Sequence, residues 1–249
     1  MSFDAPMAPP RRIAVIGGGI SGMAAALLLA PHNRVTLFEA EPRLGGHART
    51  VTAGKHGDQP VDTGFIVFNY ANYPHLTRMF KDLDVPVVRS DMSFGVTLDE
   101  GRLEYALRSL PALFSQPSNA LRPEFLGMLR DIMRFNAHAE AVADTDEMTV
   151  DELMDRLNLG EAFRRHYLLP ICGAIWSTPS AEVGAFPARS LLRFFRNHAL
   201  LSPNGQHQWW TVEGGSVEYV RRLGARLSLL GVDLRTGAAI KSVTRTQGS

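Results

Sequence analysis

The sequence has 249 residues, 45% of them hydrophobic, which is enough for one large globular domain or two smaller ones and excludes a disordered or fibrous chain. The 26 basic and 25 acidic side chains leave a net charge of +1, so the composition excludes the strongly basic balance of a general nucleic-acid-binding protein. We therefore expect no nucleic-acid partner.

Cysteine content and hydropathy indicate the environment of the protein. Cys172 is the single cysteine, so no intramolecular disulfide can form, which is typical of a reducing compartment, and we expect a cytoplasmic protein. Residues 1–12 contain three prolines and no long apolar run, and we expect a flexible leader rather than a secretory signal. No stretch reaches the roughly 18 consecutive apolar residues of a transmembrane helix, although contact with a membrane surface stays open. The oligomeric state is not indicated.

The first elements predict a βαβ unit. Residues 12–16 are apolar and β-branched, which predicts a strand buried on both faces. Residues 23–30 are strong helix formers that stop at Pro31, and residues 34–39 predict a second strand. Such a unit begins a parallel sheet.

The remaining predicted elements are first mainly strands, then mainly helices, and then strands and one helix. Glycine-rich turns are predicted at 44–46 and 62–64, then a helix over 73–83 and antiparallel strands over 87–88, 93–98 and up to Tyr105. Residues 110–198 are mostly helical, with one long helix opening at Pro123 and others over 151–157, 161–169 and 189–198. The last section predicts strands over 208–212, 232–235 and 240–244 and a helix over 216–230.

A glycine motif stands between the first strand and the first helix. In Gly17-x-Gly19-x-x-Gly22, the first glycine permits the tight turn, the second lets the backbone approach a pyrophosphate, and the third allows close helix–strand packing. The N–H groups of Ile20 and Ser21, at the positive end of the helix dipole, would bind the phosphates. In a purely structural interpretation the glycines only form a tight turn.

An acidic residue at the end of the second strand supports dinucleotide binding. Glu39 lies 22 residues after Gly17, where it can accept hydrogen bonds from an adenosine ribose. A carboxylate there repels a 2′-phosphate, which argues against NADP. Because FAD and NAD carry the same adenosine diphosphate, these residues alone leave the two cofactors open.

The segment that follows Glu39 resembles a known family. Residues 38–50 resemble the second glycine motif of the flavin-dependent amine oxidase and phytoene desaturase superfamily, residues 62–65 its Asp-x-Gly turn, and residues 213–216 its later Gly-Gly helix opening. The strand around Ile240 is similar to the segment whose backbone contacts adenine. The resemblance implies FAD as the cofactor, and further contacts from Ala40, Arg43, Gly45, Gly46, His47, Gly64, Phe65 and Ile240.

Two departures from the family pattern matter. His47 stands where the family places an arginine after Gly-Gly, and a neutral imidazole lacks the permanent charge and forked donors of a guanidinium. Arg43 or Arg49 would compensate, or would simply form surface ion pairs. Members of the family also continue past the adenine-contacting strand, so we expect an N-terminal fragment of a longer member. The lysine that many relatives place near the flavin N5 would lie beyond Ser249, and no catalytic residue is assigned.

The predicted fold is therefore α/β. A Rossmann-like FAD-binding domain with a parallel sheet, over residues 10–70 and 205–249 and incomplete, is interrupted by a mostly helical α+β substrate domain over residues 71–204. This order would place the active site where the two domains meet.

Other candidate features have plainer interpretations. Cys172 lies in an apolar segment that predicts a packed core thiol, and the eight histidines show no metal-binding spacing, so no metal site is expected. Arg189, Arg193 and Arg196 share one helix face, which predicts a solvated basic surface or a contact with anionic lipid or an acidic substrate group. Apolar helices between Pro123 and Phe195 are interpreted as plain core or as the lining of a substrate tunnel.

Three functions remain in view. The first is an FAD-dependent oxidoreductase that dehydrogenates or desaturates a small hydrophobic substrate by hydride transfer to the flavin N5. The second, within the same class, is an oxidase that acts on an amine. The third is a dinucleotide-binding module without catalytic activity, or an inactive fragment.

Overall fold

The structure, a computed structural model, describes residues 9–92, 94–176, 179–201 and 207–245. The chain divides into two compact units: unit 1 consists of residues 1–90 and 209–249, and unit 2 of residues 91–208. Residues 71–90, predicted to belong to the insertion, lie in unit 1. Most of the predicted leader over residues 1–12 lies outside the described residues, as does Ser93.

Unit 1 contains a parallel sheet with helices, which confirms the predicted α/β class. Its helices are α1 Ile20–Leu29, α2 Pro74–Asp82 and α10 Val217–Leu229. Its strands are β1 Arg12–Ile16, β2 Arg34–Phe38, β3 Thr50–Ala53, β4 Gln59–Asp62, β5 Val87–Ser90, β8 Trp209–Val212 and β9 Asp233–Arg235. The parallel sheet has the order β1-β2-β9, with Ile16 opposite Phe38 and Leu37 opposite Leu234.

The core of unit 1 lies between this sheet, α1 and α10. Met23 of α1, Leu37 of β2 and Leu223 of α10 are fully buried, and Phe68 and Phe80 join them. The prediction that β1 is buried on both faces is wrong, because β1 is an edge of the three-stranded sheet and Ile16 is 57% exposed.

Two antiparallel strand pairs complete unit 1. Strands β3 and β4 pair with Thr50 opposite Asp62, at a place where only glycine-rich turns were predicted. Strand β4 was not predicted because it contains Pro60, and proline is depleted from strands other than edge strands. Strands β5 and β8 pair with Ser90 opposite Trp209, so the chain leaves and re-enters unit 1 at neighbouring residues.

The predicted strand over residues 240–244 is wrong, because the structure has no strand from residue 236 to residue 245. After β9 the chain turns at Gly237, whose φ is +66°. The N–H groups of Gly237 and Ala238 donate to the carbonyl oxygens of Glu41 and Glu39, at 2.9 and 2.8 Å. The backbone here therefore bonds to the segment that follows β2 and not to a neighbouring strand.

Unit 2 is mostly helical, as predicted. Its elements are β6 Gly95–Leu98, β7 Leu103–Ala106, α3 Leu110–Leu113, α4 Pro123–Val142, α5 Val150–Arg156, α6 Glu161–Phe163, a π-helical segment Arg164–Leu168, α7 Leu169–Trp176, α8 Ser180–Val183 and α9 Ala188–Asn197. Strands β6 and β7 form an antiparallel hairpin. The helix predicted over 161–169 continues through the π-helical segment to Trp176.

The apolar side chains of unit 2 form a packed core. Phe125, Met128 and Phe135 of α4 are buried with Phe163 and Phe195, which agrees with the plain-core interpretation of these helices. Met133, on the same helix, is 66% exposed. Within the described part of the chain, every helix is too short or too polar to cross a bilayer.

Candidate functional site

The glycine motif forms the turn that joins β1 to α1. Gly17 has a φ of +103°, a conformation that favours glycine, and its N–H donates to the carbonyl oxygen of Phe38 at 2.7 Å. A Cβ on Gly22 would overlap the carbonyl oxygen of Gly17, whereas a Cβ on Gly19 would come no closer than 4.0 Å to the Cα of Gly46. Gly22 is therefore required for packing, while the space beside Gly19 is open.

The N-terminus of α1 carries backbone donors without a side-chain cap among the described residues. Gly19 is its N-cap residue, and neither Ile20 nor Ser21 brings a charge into the first turn. By contrast, Thr149 and Glu152 form a capping box on α5. The first turn of α1 is thus a place where backbone N–H groups and the positive end of the helix dipole can meet an anion.

A second glycine turn packs directly on the first. The N–H of Gly45 donates to the carbonyl oxygen of Gly18 at 2.8 Å, and both Gly45 and Gly46 have positive φ angles of +107° and +56°. A Cβ on Gly46 would come within 3.1 Å of the Cα of Gly19. The backbones of the two turns are therefore in close contact, and a side chain at Gly46 would be crowded against Gly19.

The carboxylate of Glu39 accepts two backbone hydrogen bonds, one from the first glycine turn. Its Oε2 accepts the N–H of Gly18 at 2.5 Å and its Oε1 accepts the N–H of Glu41 at 2.8 Å. The bond from Glu41, with that from Gly18, lowers the pKa of Glu39 below its ordinary value, although partial burial opposes this. A carboxylate has about four acceptor positions, so two remain for the hydroxyl groups of a ribose.

The other predicted contacts lie around these turns. The Arg43 guanidinium donates to the carbonyl oxygens of Leu44 and Gly46, at 3.4 and 3.0 Å, so it supports the second turn. A Cβ on Gly64 would overlap the carbonyl oxygen of His47, which requires glycine there. Ala40 is exposed and Ile240 is 40% exposed, two residues beyond the Ala238 N–H that donates to Glu39.

The two glycine turns line a cavity of about 610 Å³ in unit 1. Nine predicted residues line it: Gly17, Gly19, Ile20, Ser21, Gly22, Gly45, Gly46, His47 and Phe65. Five others were not predicted: Ile16, Ala48, Tyr73, Leu76 and Tyr219. Glu39, Ala40, Arg43, Gly64 and Ile240 are outside the lining, and Glu39 bonds to Gly18, which stands between the lining residues Gly17 and Gly19.

One wall of the cavity is aromatic, formed by the predicted Phe65 and by Tyr73 and Tyr219, which were not predicted. The ring of Phe65 packs edge to face on Tyr219, with centroids 6.3 Å apart. Burial raises the pKa of Tyr73, and burial together with the nearby Asp62 raises the pKa of Tyr219 to about 12. Tyr73 is the N-cap residue of α2 and Leu76 lies in its first turn, and their spacing of three residues was a signal for one buried helix face, though not for a cavity.

Asp62 anchors the helix that carries Tyr219. Its carboxylate accepts the backbone N–H of Ser216 at 2.9 and 3.0 Å, the Ser216 hydroxyl at 2.7 Å and the Thr50 hydroxyl at 2.6 Å. The Thr50 Oγ1 in turn accepts the N–H of Val217 at 3.0 Å. The N-terminus of α10 is therefore satisfied by protein groups, in contrast to that of α1.

The remaining candidate residues, Cys172 and the arginines of α9, lie in unit 2. Cys172 is buried, which raises its thiol pKa to about 12 and confirms the packed core cysteine. Arg189 pairs with Asp146 and Arg196 with Glu140, so two of the three arginines on α9 form surface ion pairs. Searched over the described ranges, His, Cys, Asp and Glu side chains form no cluster of three or more that could hold a metal ion.

Comparison with known proteins adds the family context. The profile of the family described as flavin containing amine oxidoreductase matches residues 20–249. A carotenoid phi-ring synthase from Streptomyces griseus is 31% identical over 175 residues, which cover 60% of this chain and 32% of that protein. A coproporphyrinogen III oxidase from Mycobacterium leprae (strain TN) is 28% identical over 193 residues, covering 70% of this chain and 39% of that protein.

A solved structure shows the same fold. Cyclohexylamine oxidase from Brevibacterium oxydans IH-35A superposes with a TM-score of 0.61 and 20% identity, and the match covers 93% of this chain and 51% of that one. The chain thus spans about half the length of this structure and well under half the length of the two curated relatives.

Proposed function

The chain belongs to the family of flavin-containing amine oxidoreductases, and from this premise we propose that unit 1 binds FAD in the 610 Å³ cavity as part of an oxidoreductase. The observation that carries the proposal is the N-terminus of α1, which has no side-chain cap among the described residues and faces the Gly45–Gly46 turn. Backbone donors arranged in this way suit a pyrophosphate.

Different residues of unit 1 bind different parts of FAD in this proposal. The first turn of α1 and the turn at Gly45 and Gly46 bind the pyrophosphate, and Glu39 accepts hydrogen bonds from the adenosine ribose. Arg43 holds the second turn in place through the Gly46 carbonyl oxygen. We assign the adenine contact to residues 237–240, and the Ala238 N–H that donates to the Glu39 carbonyl oxygen supports this assignment.

The aromatic wall supports the rest of the cofactor. Phe65, Tyr73 and Tyr219 exclude water from one side of the cavity and remain uncharged at neutral pH. When bound, FAD supplies a flavin N5 that accepts a hydride from a substrate C–H bond. We assign no catalytic side chain to this chain.

We favour a hydrophobic substrate that is dehydrogenated or desaturated. Support comes from two relatives whose names refer to a carotenoid and to coproporphyrinogen. An amine is the second candidate, and the name of the family itself favours it. Anaerobic mixing with polyene, fatty acyl, porphyrinogen and amine compounds, followed by flavin absorbance, separates the two. Bleaching by amines alone would contradict the hydrophobic substrate.

Binding is tested by titrating the protein with FAD, FMN and NAD and following fluorescence. We expect FAD to bind most tightly, and Glu39→Ala to weaken FAD about 10- to 100-fold because charge-assisted bonds to the ribose are lost. FMN has no adenosine, so its affinity should not respond to this substitution. Glu41→Ala, two residues away and exposed, is the matched control. Equal affinity of wild type and Glu39→Ala for FAD would refute the placement of the adenosine.

A further inference from the structure

A second cavity, of about 300 Å³, lies wholly in unit 2. Its charged lining residues come from three places in the chain: the connection between β6 and β7, the start of α4, and α6 with the π-helical segment. Each place supplies one acid and one arginine, and the six residues are Asp99, Arg102, Arg122, Glu124, Glu161 and Arg165. Their formal charges therefore cancel.

None of these six side chains forms an ion pair with any residue that the structure describes, at N···O distances up to 4.0 Å. Glu161 and Arg165 are four residues apart, a spacing that favours an ion pair on an α-helix, but a π-helical segment begins at Arg164. By contrast, Arg164 itself pairs with Asp151. The charged groups of the unit 2 cavity are therefore available to a ligand.

The guanidinium group of Arg122 is held in place by other groups of unit 2. Its Nη1 donates to the Arg102 carbonyl oxygen at 2.5 Å and to Asn119 Oδ1 at 3.1 Å. Asn119 is fully buried, and its Nδ2 donates to the Glu104 carbonyl oxygen at 2.9 Å. A guanidinium has five N–H donors, so at least three remain for a ligand. A donor that is fixed in advance loses less entropy when a ligand binds.

His166 adds a polar atom without a partner. Its side chain lines the same cavity, and its Nδ1 is buried and meets no hydrogen-bond partner among the described residues. The backbone here is fixed, because the Tyr105 hydroxyl donates to the His166 carbonyl oxygen at 2.6 Å. Buried polar atoms are nearly always hydrogen-bonded in folded proteins, and π-helical turns occur frequently at functional sites. A ligand bound in the cavity can supply the missing partner.

We propose that the unit 2 cavity binds a small zwitterion, a molecule with one ammonium group and one carboxylate or phosphate group. Guanidinium groups bind carboxylate and phosphate oxygens through parallel N–H donors, and the three carboxylates of the lining accept hydrogen bonds from an ammonium group. A bare anion is attracted by three charges and repelled by three, so the balance favours a ligand that carries both signs. The volume lies at the lower end of the range for small-molecule sites.

Calorimetric titration of the full chain with O-phosphoethanolamine and with β-alanine tests the proposal. The first carries a phosphate and the second a carboxylate, each with an ammonium group, so the tighter ligand identifies the anionic group. We expect this ligand to bind at least about tenfold more tightly than inorganic phosphate, acetate or ethanolamine, which carry one kind of charge. The proposal is overturned if neither zwitterion binds at concentrations up to about 10 mM.

Two exposed lining residues provide variants with different expected effects. Arg165→Gln should weaken the zwitterion and the corresponding simple anion about tenfold each. Glu161→Gln should weaken the zwitterion about tenfold but not the simple anion, because it removes a negative charge. A purely structural role would weaken both ligands in both variants. Arg193→Gln and Glu182→Gln, exposed and outside this cavity, are the matched controls and should leave all affinities unchanged.

Two further results would overturn the inference. Equal affinity for a zwitterion and its simple anion would show that the carboxylates of the cavity do not bind the ammonium group. Unchanged zwitterion binding by Arg165→Gln and Glu161→Gln would show that the ligand binds elsewhere on the protein. Urea denaturation of each variant checks that both substitutions, at exposed side chains, leave the fold intact.

Discussion

The glycines of unit 1 are required for different physical reasons. Gly17 is required by its positive φ, and Gly22 and Gly64 by backbone that leaves no room for a Cβ. Gly19 has ordinary helical-start geometry, with a φ of −73°, and open space beside it. The first glycine motif contains Gly17, Gly19 and Gly22, but we expect substitution of Gly22 to affect folding and substitution of Gly19 to affect cofactor binding.

A pair of substitutions tests this separation. Gly22→Ala should reduce the free energy of unfolding by about 3 kcal/mol, because its methyl group overlaps the Gly17 carbonyl oxygen. Gly19→Val should change it by less than about 1 kcal/mol but weaken FAD more than about tenfold by filling the cavity. Urea denaturation and FAD titration measure the two effects, with Gly127→Val in open space on α4 as the control. Strong destabilisation by Gly19→Val would contradict the open geometry.

Cys172 illustrates a residue whose role is packing alone. We expect iodoacetamide at pH 8 to modify the native thiol at least about 100-fold more slowly than the thiol in urea, because the side chain is buried and its pKa is raised to about 12. Since the folded pKa is the higher one, this thiol stabilises the fold below pH 9, and that contribution is lost as the pH rises from about 9 towards 12. Mass spectrometry of the alkylated protein provides the measurement. Rapid modification without urea would show that the site opens.

At the scale of elements, two of the helices that border the cavity, α1 and α10, differ in how their N-termini are satisfied. The first turn of α1 has no side-chain cap in the described structure, whereas α10 begins on Asp62 and Thr50. The cap on α10 holds Tyr219 in the cavity wall. A ligand can therefore complete α1, and protein groups already complete α10.

Removal of this cap should cost stability. Asp62→Ala leaves the Ser216 N–H and hydroxyl without their acceptor, and we expect a loss of about 2–3 kcal/mol in the free energy of unfolding. Thr149→Ala in the capping box of α5 should cost about 1 kcal/mol. Hydrogen exchange should show that Asp62→Ala raises exchange at the start of α10 while α5 is unaffected. Unchanged protection of α10 would contradict the anchoring role.

Local patterns predicted the elements that have strong local signals. Strand β2, α1, α4 and α10 follow from apolar runs, helix formers and the proline at position 123, all readable within a short window. The β3–β4 hairpin was not predicted because Pro60 and polar residues weaken its pattern, and its strands are joined by cross-strand pairs such as Thr50 with Asp62. Tyr73 and Tyr219 were missed as cavity residues because helices distant in sequence bring them together.

At the scale of the whole molecule, unit 2 is inserted between two paired strands of unit 1, β5 and β8. Ser90 and Trp209 are opposite each other in the β5–β8 pair, so a short turn can join them in place of residues 91–208. Each unit also has its own buried core. This arrangement indicates that unit 1 can fold without the insertion.

Replacing residues 91–208 with Asn-Gly tests this directly. We expect the shortened chain to unfold cooperatively, because the turn preserves the register of Ser90 with Trp209. A control that also lacks Trp209 shifts the register by one residue, which turns the side chains of β8 to the opposite face and should abolish cooperative unfolding. Circular dichroism during urea denaturation distinguishes the two. Failure of both chains to fold would show that unit 1 depends on unit 2.

The strand order β1-β2-β9 has a consequence for synthesis on the ribosome. Strand β2 is complete at Phe38, but its second neighbour begins at Asp233, about 200 residues later. At about 5–20 residues per second, that edge waits roughly 10–40 s for its partner while unit 2 emerges. The nascent chain therefore carries an open parallel edge beside the glycine turns during this interval, when ribosome-associated chaperones can bind it.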